Sequence, residues 1–197
     1  IHRFSVVGIS GGGPYVAACV FEIPQRLATA CIVSGVGPLD WPGATAGLPR
    51  ARRLGAALAM HAPRLVRPFL WLVSNPRRNA ERFFEQISAQ SAQVDQVVLT
   101  RPEVRAMLME NWTEATRSGI RGYAQEALIL CRPWGFRLGD LTMQIQLWQG
   151  TADAVTPLSM GRWVEEAISD CRATFLPDEG HFLLFDHWTE ILAAMVS

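Results

Sequence analysis

The stretch that most constrains the fold is Phe4–Pro14, with the sequence F-S-V-V-G-I-S-G-G-G-P. Its β-branched start, Ser5–Val7, predicts a buried strand, and the apolar run Tyr15–Glu22 predicts a buried helix. Between them, Gly8–Gly12 forms a Gly-x-Ser-x-Gly turn that joins the strand directly to the helix. Such a turn is tight. We therefore expect side chains at positions 8 and 12 to collide with neighbouring elements, and Ser10 to have a strained backbone.

A strand, this turn and a helix in succession make up a nucleophile elbow, and the stretch resembles the α/β-hydrolase family on that ground. The resemblance implies that Ser10 is the nucleophile and that the backbone N–H of Gly11 is an oxyanion donor. Haloalkane dehalogenases and epoxide hydrolases of this fold have an aspartate at the elbow, so Ser10 argues against both. A glycine-rich turn with an incidental serine would have the same sequence, so the interpretation depends on partners later in the chain.

Two later loops resemble the acid and histidine loops of the family, in the chain order Ser, Asp, His that it uses. Asp153 follows the predicted strand Met143–Trp148, and His181 follows the predicted strand Ala173–Leu176. A serine hydroxyl needs a base within hydrogen-bond reach, and that base needs an orienting partner. The resemblance therefore implies that His181 is the general base and that Asp153 orients it.

Each of these assignments has an alternative. Asp153 fits a residue that caps the following helix, and His181 fits a surface-loop histidine. Asp40, just after the predicted strand Leu27–Ser34, is a rival for the acid, because some family members carry the acid there.

The pattern changes to successive helices between residues 39 and 138. Helices are predicted at Pro49–Met60, Pro63–Val73, Pro76–Ala89, Pro102–Thr116 and Ile120–Cys131. The stretch resembles the helical cap that many α/β-hydrolases insert after the strand following the elbow. We expect an α/β fold in which residues 1–38 and 139–197 form part of the hydrolase core, with about four parallel strands. Residues 39–138 would form an inserted, mostly helical cap.

Charge follows the same division. Residues 39–138 contain fourteen arginines and eight acids, a net charge of +6, whereas the rest has four arginines and ten acids, a net charge of −6. Two interpretations stay open: solvated helix faces on two halves that attract each other, or a cap that attracts anionic substrates or acidic lipid. The zero net charge of the whole chain argues against a nucleic-acid partner.

Composition excludes several chemistries. All eighteen basic residues are arginine, which excludes Schiff-base chemistry, a Ser-Lys dyad and a lysine-containing phosphate loop. The four cysteines form no C-x-x-C pair and lie in or next to apolar segments, so we expect them to be reduced and mostly buried. The four histidines have no ligand spacing with the cysteines, and we predict neither a metal site nor a cofactor.

The first predicted strand, beside Ile1, is already the elbow strand. In the family, about half of the sheet and a loop with the second oxyanion donor precede it. We therefore expect a C-terminal fragment of a longer hydrolase that is inactive or weak alone, with an exposed sheet edge at Ser5–Val7 available for homo-oligomerisation. No apolar run reaches membrane-span length, and we expect a cytoplasmic protein, although a signal peptide cannot be judged without the true N-terminus.

The function that the resemblance implies is hydrolysis of a small-molecule acyl substrate through an acyl-enzyme. Carboxylic esters are the default, and thioesters, lactones, amides, carbon–carbon cleavage of diketones and perhydrolysis stay open. The alternative from a different class is a non-catalytic α/β-hydrolase-fold protein that binds a ligand or acts as a scaffold.

Overall fold

The computed structural model describes residues 1–73 and 80–196. Its sheet has four parallel strands in the order β1 (Phe4–Ile9), β2 (Leu27–Val33), β3 (Ile145–Gly150) and β4 (Cys171–Leu176). The expected α/β class and the parallel strands are confirmed. Because the strands are parallel, their carboxyl ends meet at one edge of the sheet, where open α/β folds bind their ligands.

Helices cover both faces of this sheet. On one face, α1 (Gly13–Glu22) and α8 (Leu158–Ala167) pack against alternate strand residues such as Ile32 and Leu147. On the other face, α9 (Leu184–Val196) packs against the intervening positions, including Val33. Successive strand residues point to opposite faces, which is why a continuous apolar run such as β2 contributes to both cores.

The helical segment, residues 39–138, lies between β2 and β3 in the chain. The helices described in it are α2 (Arg50–His61), α3 (Pro63–Val73), α4 (Ala80–Gln90), α5 (Gln93–Leu99), α6 (Pro102–Ala115) and α7 (Arg121–Cys131). Helix α5 was not predicted, because it is short and has neither a proline start nor a clear apolar face. The predicted start of α4 at Pro76 lies outside the described residues. Within the described residues, three 3₁₀ turns complete the elements, at Ser10–Gly12, Pro24–Arg26 and Leu138–Asp140.

Two apolar clusters organise the helical segment. Helices α2, α3 and α7 share one of them, which includes Val66 and Leu70. Helices α4, α5 and α6 share the other, which also includes Phe182 and Phe185 from the chain just after β4. The second cluster therefore attaches the helical segment to the loop that contains His181.

Strand β3 differs from its predicted bounds in a way that matters for the site. The prediction was Met143–Trp148, with Gln149 and Gly150 in the following loop. In the structure the strand continues to Gly150, which pairs with Leu176. A Cβ at position 150 would lie 2.2 Å from the carbonyl oxygen of Glu179, so only glycine lets the two loops approach this closely.

The cysteine prediction is confirmed in part. The four cysteines are free thiols, but only Cys31 is fully buried, and the other three are half-buried. Burial raises the pKa of Cys31 to about 12 and is the main cause that raises the pKa of Cys171 to about 11. Both thiols are therefore protonated at neutral pH.

Residues 1–73 and 80–196 contain no helix with the length and apolar character that crossing a bilayer requires.

Candidate active site

The turn after β1 has the strain that the sequence predicts. Ser10 has a φ of 53°, in the left-handed region that non-glycine residues rarely occupy. At Gly8, a Cβ would lie 2.3 Å from the carbonyl oxygen of Gly12 and 2.6 Å from Val16 Cγ2. The backbone of the turn is therefore folded against helix α1, and a side chain at position 8 would not fit.

The prediction for Gly12 is wrong. A Cβ there would have nothing within 4 Å, and its φ of −76° is ordinary. The crowded position is Gly13, where a Cβ would lie 3.2 Å from both Gly35 Cα and Ile32 Cγ2. Because the 3₁₀ turn Ser10–Gly12 comes before α1, the close approach to β2 falls one residue later than the motif suggests.

Asp153 and His181 meet at the carboxyl edge of the sheet. His181 Nδ1 lies 2.9 Å from Asp153 Oδ2, and the two residues are only 7% and 6% exposed. A neutral imidazole that donates from Nδ1 has Nε2 free to accept a proton. The pair thus has the geometry that a general base and an orienting acid require.

The loop after β3 that contains Asp153, here called the acid loop, supplies hydrogen-bond donors to the Asp153 carboxylate. Oδ1 accepts backbone N–H bonds from Val155 at 2.7 Å and Thr156 at 2.8 Å. Oδ2 lies 2.7 Å from Thr156 Oγ1 and accepts a bond from Gln149 Nε2 at 3.0 Å. Burial alone raises the pKa of Asp153, but the hydrogen bond and charge of His181, together with Thr156, outweigh it and hold the pKa below its ordinary value. The carboxylate is therefore ionised at neutral pH.

Ser10 shares a cavity with the acid loop. The cavity has a volume of about 390 Å³ and is lined by Ser10, Gly11, Val155 and Thr156, with apolar side chains from the helical segment. Within the described part of the chain, no hydrogen bond joins the Ser10 hydroxyl to His181, although catalytic bonds are often long before substrate binds. The structure brings His181 to Asp153, and Ser10 to the cavity beside them.

The rival acid Asp40 lies elsewhere. Its side chain is exposed and borders a different cavity, with Trp41 and Trp134. Among the described residues, no hydrogen bond joins Asp40 to His181, whereas Asp153 Oδ2 lies 2.9 Å from His181 Nδ1. The geometry therefore favours Asp153 as the partner of His181.

Sequence reasoning missed Asp95, on helix α5. Its carboxylate is 1% exposed and accepts the backbone N–H of His181 at 3.0 Å and that of Phe182 at 2.8 Å. At Gly180, a Cβ would lie 2.2 to 2.4 Å from the same carboxylate. Asp95 thus holds the backbone of the histidine loop. The only signal in the sequence is one acid among apolar residues of a short segment, which does not identify its partner.

Gln149 was also missed, because the prediction put it in a loop. It is completely buried and donates from Nε2 to Asp153 Oδ2 and to the carbonyl of Thr156, both at 3.0 Å. A Cβ on Gly161 would lie 2.9 Å from Gln149 Cγ, so helix α8 has a glycine where it faces this side chain. Gln149 therefore links the carboxylate of Asp153 to the backbone of Thr156 and fixes the position of the carboxylate.

Within residues 1–73 and 80–196, no group of three or more His, Cys, Asp or Glu residues could hold a metal ion.

A family model described as "Alpha/beta hydrolase family" matches residues 1–194. No curated protein matches the chain. Among solved structures, a hydrolase from Pseudomonas aeruginosa is 13% identical with a TM-score of 0.65, and the match covers 100% of this chain and 66% of that one. The enol-lactonase from Burkholderia xenovorans is 18% identical with a TM-score of 0.65, at 100% and 66% coverage. A thermophilic esterase from Thermogutta terrifontis, solved with malate bound, is 18% identical with a TM-score of 0.60, at 98% and 63% coverage. These likenesses show the fold, and the chain spans about two thirds of each of these proteins.

Proposed function

The chain belongs to the α/β-hydrolase family, and on that premise we propose that it is a serine hydrolase with Ser10, His181 and Asp153 as its triad. Its substrates are carboxylic esters or related acyl compounds. The observation that carries the proposal is the buried contact of 2.9 Å between His181 Nδ1 and Asp153 Oδ2. The strained serine of the elbow, in the wall of the neighbouring cavity, supports it.

The proposed reaction begins at the carbonyl carbon of the substrate. Ser10 Oγ attacks that carbon while His181 Nε2 takes the hydroxyl proton, and Asp153 stabilises the imidazolium that forms. The negative charge on the carbonyl oxygen is met by the backbone N–H of Gly11, at the positive end of helix α1. Collapse of this intermediate expels the alcohol, which receives the proton from His181. Water, activated by the same base, then releases the acid and restores Ser10.

The helical segment, residues 39–138, is proposed to act as a cap over the nucleophile. Three of its helices contribute side chains to the wall of the Ser10 cavity, among them Phe69 and Leu130. A mainly apolar wall suits the hydrocarbon part of an acyl substrate. The shape of this wall would decide among esters, thioesters and lactones, since all three react through the same intermediate.

A fluorophosphonate probe tests the proposal, because it forms a covalent adduct with an activated serine. We expect the full-length gene product to be labelled on the peptide that contains Ser10. Labelling should be lost in Ser10→Ala and strongly slowed in His181→Ala, whereas Ser169→Ala, at an exposed serine, serves as the matched control. A folded protein without an adduct at Ser10 would exclude the hydrolase and favour the non-catalytic, ligand-binding alternative.

A further inference from the structure

One cation lies in the wall of the cavity that contains Ser10. Arg52, on helix α2, lines this cavity, and its Nη1 donates a hydrogen bond of 2.9 Å to the carbonyl oxygen of Val155. Val155 lies two residues after Asp153, so the guanidinium group is held on the side of the cavity where the acid loop enters. The charged end of Arg52 is thus beside the chemistry and not at the outer surface of the cap.

Arg52 has no carboxylate partner among the described residues. The arginines that form ion pairs with acids there are Arg101, Arg105, Arg117 and Arg162, and their pairs are on the surface. Burial lowers the pKa of Arg52, and the neighbouring Tyr123 and Asp153 offset this only in part. A guanidinium group keeps its charge in any case, so this positive charge is incompletely compensated.

The surroundings of Arg52 do not supply that compensation. The rest of the cavity wall is mainly apolar, and its one acid among the described residues, Glu126, forms no ion pair with Arg52 and accepts a hydrogen bond from Tyr15 Oη at 3.0 Å. Arg52 also borders a second cavity of about 380 Å³, which contains Gln86 and Gln90 but no acid. Arg52 therefore lines two cavities, and its guanidinium group has N–H donors beyond the one that binds Val155.

We propose that Arg52 is a carboxylate subsite, so that the preferred substrates carry a carboxylate group in addition to the acyl bond that Ser10 attacks. A carboxylate matches the planar guanidinium group with two parallel hydrogen bonds, and a mainly apolar cavity wall strengthens them. The excess of arginine over acids in residues 39–138 would attract such anions. This inference rests on the proposed function, because it names the substrate class of the same site.

Paired esters test the subsite. The full-length gene product is assayed with p-nitrophenyl esters of succinic, glutaric and adipic acid, each against a neutral ester of equal chain length. We expect kcat/KM to favour the anionic member of at least one pair. The ratio of anionic to neutral kcat/KM should fall by roughly 10- to 100-fold in Arg52→Met, as expected for loss of hydrogen bonds to a charged group. Arg52→Lys should keep part of the preference, and Arg53→Met, at an exposed neighbour on the same helix, should keep all of it.

Two results would overturn the subsite while the hydrolase stands. The first is an enzyme that is labelled at Ser10 but shows no anionic preference. The second is an Arg52→Met variant that loses the same factor on both members of each pair, because Arg52 would then serve only to tie α2 to Val155. If Ser10 is not labelled at all, the proposed function fails, and the subsite is judged by calorimetric titration with glutarate. Binding that disappears in Arg52→Met supports it, and the absence of binding to the wild type overturns it.

Discussion

Two buried aspartates hold the histidine loop, one from the sheet and one from the helical segment. Asp153, after β3, binds the side chain of His181, whereas Asp95, on α5, binds the backbone of His181 and Phe182. Both carboxylates are hidden from solvent, with exposures of 6% and 1%. Between them they fix both the orientation of the imidazole and the position of the chain that carries it.

The difference between the two lies in where their other partners come from. Asp153 is held by donors within its own loop, at Val155 and Thr156, and by Gln149 just before it. The two hydrogen bonds of Asp95 instead join it to residues that lie 86 and 87 positions away in the chain. The Asp153 carboxylate is thus preorganised locally, while the position of the histidine loop depends on the docking of the helical segment. Changes at the first aspartate should affect chemistry most, and changes at the second should affect both stability and geometry.

We expect the largest effect on activity when the charge of Asp153 is removed. In Asp153→Asn the amide no longer holds the imidazole in the productive tautomer, and we expect kcat for an ester to fall by about 10⁴-fold. Steady-state kinetics on the full-length gene product measures this. The control is Asp178→Asn in the histidine loop, where an exposed aspartate has a φ of 60° that asparagine tolerates. A loss below about tenfold in Asp153→Asn would mean that another acid orients His181.

Asp95→Ala should have the next largest effect. It leaves the N–H groups of His181 and Phe182 without an acceptor, which we expect to lower the free energy of unfolding by about 2 kcal/mol. Displacement of the histidine loop should also lower kcat by about 10- to 100-fold. Urea denaturation and kinetics measure the two effects.

Val98→Ala is the matched control for this variant. It weakens the packing of the same helix, since Val98 is 3% exposed, but leaves the carboxylate in place. It should lower stability by about 1 kcal/mol with kcat retained. If both variants lose activity in proportion to stability, Asp95 only helps the helix to fold. Asp95→Asn, which retains one acceptor oxygen, should lie between the wild type and Asp95→Ala.

The contact between Asp95 and Gly180 gives a third, smaller effect. The new methyl group in Gly180→Ala would overlap the Asp95 carboxylate, and we expect a loss of about 1–3 kcal/mol in the free energy of unfolding. The loss should shrink by about 1 kcal/mol or more when Asp95→Ala is already present. A double-mutant cycle by urea denaturation measures this coupling. Strict additivity would show that the loop relaxes around the methyl group without help from position 95.

We expect the smallest effect in the pH dependence of the contribution that Asp153 makes to the free energy of unfolding. The pKa of Asp153 in the folded protein lies below the ordinary value of an aspartate, because His181 and Thr156 stabilise the carboxylate, so the side chain binds fewer protons when folded than when unfolded. The stability that it contributes is therefore fully present above that value and is lost as the pH falls below it, through the folded pKa. We expect the difference in unfolding free energy between wild type and Asp153→Asn to be constant above about pH 5 and to narrow at lower pH. If the difference in unfolding free energy instead widens at low pH, folding raises the pKa of Asp153 and does not lower it.

The local features of the site were predictable, and the long-range ones were not. The strand–turn–helix at Ser10 and the loop positions of Asp153 and His181 follow from short patterns in which each residue type has a local reason. The sequence pattern predicted that position 12 would be crowded, whereas the crowded glycine is at position 13. The pattern does not reveal the 3₁₀ turn that precedes α1. Gln149 was missed because its burial depends on helix α8, which has Gly161 at the contact.

The sequence by itself determined that a parallel sheet would bear a serine on a strained turn, with an aspartate and a histidine on later loops. These features depend on residues close together in the chain, where glycine, proline and β-branched residues restrict the backbone. Only the tertiary structure decided that His181 meets Asp153 and not Asp40, and that Asp95 holds the histidine loop. Only the fold placed Arg52 in the wall of the cavity that contains Ser10. These contacts join residues tens of positions apart, and composition and periodicity restrict the local backbone but do not specify which distant groups a folded chain brings together.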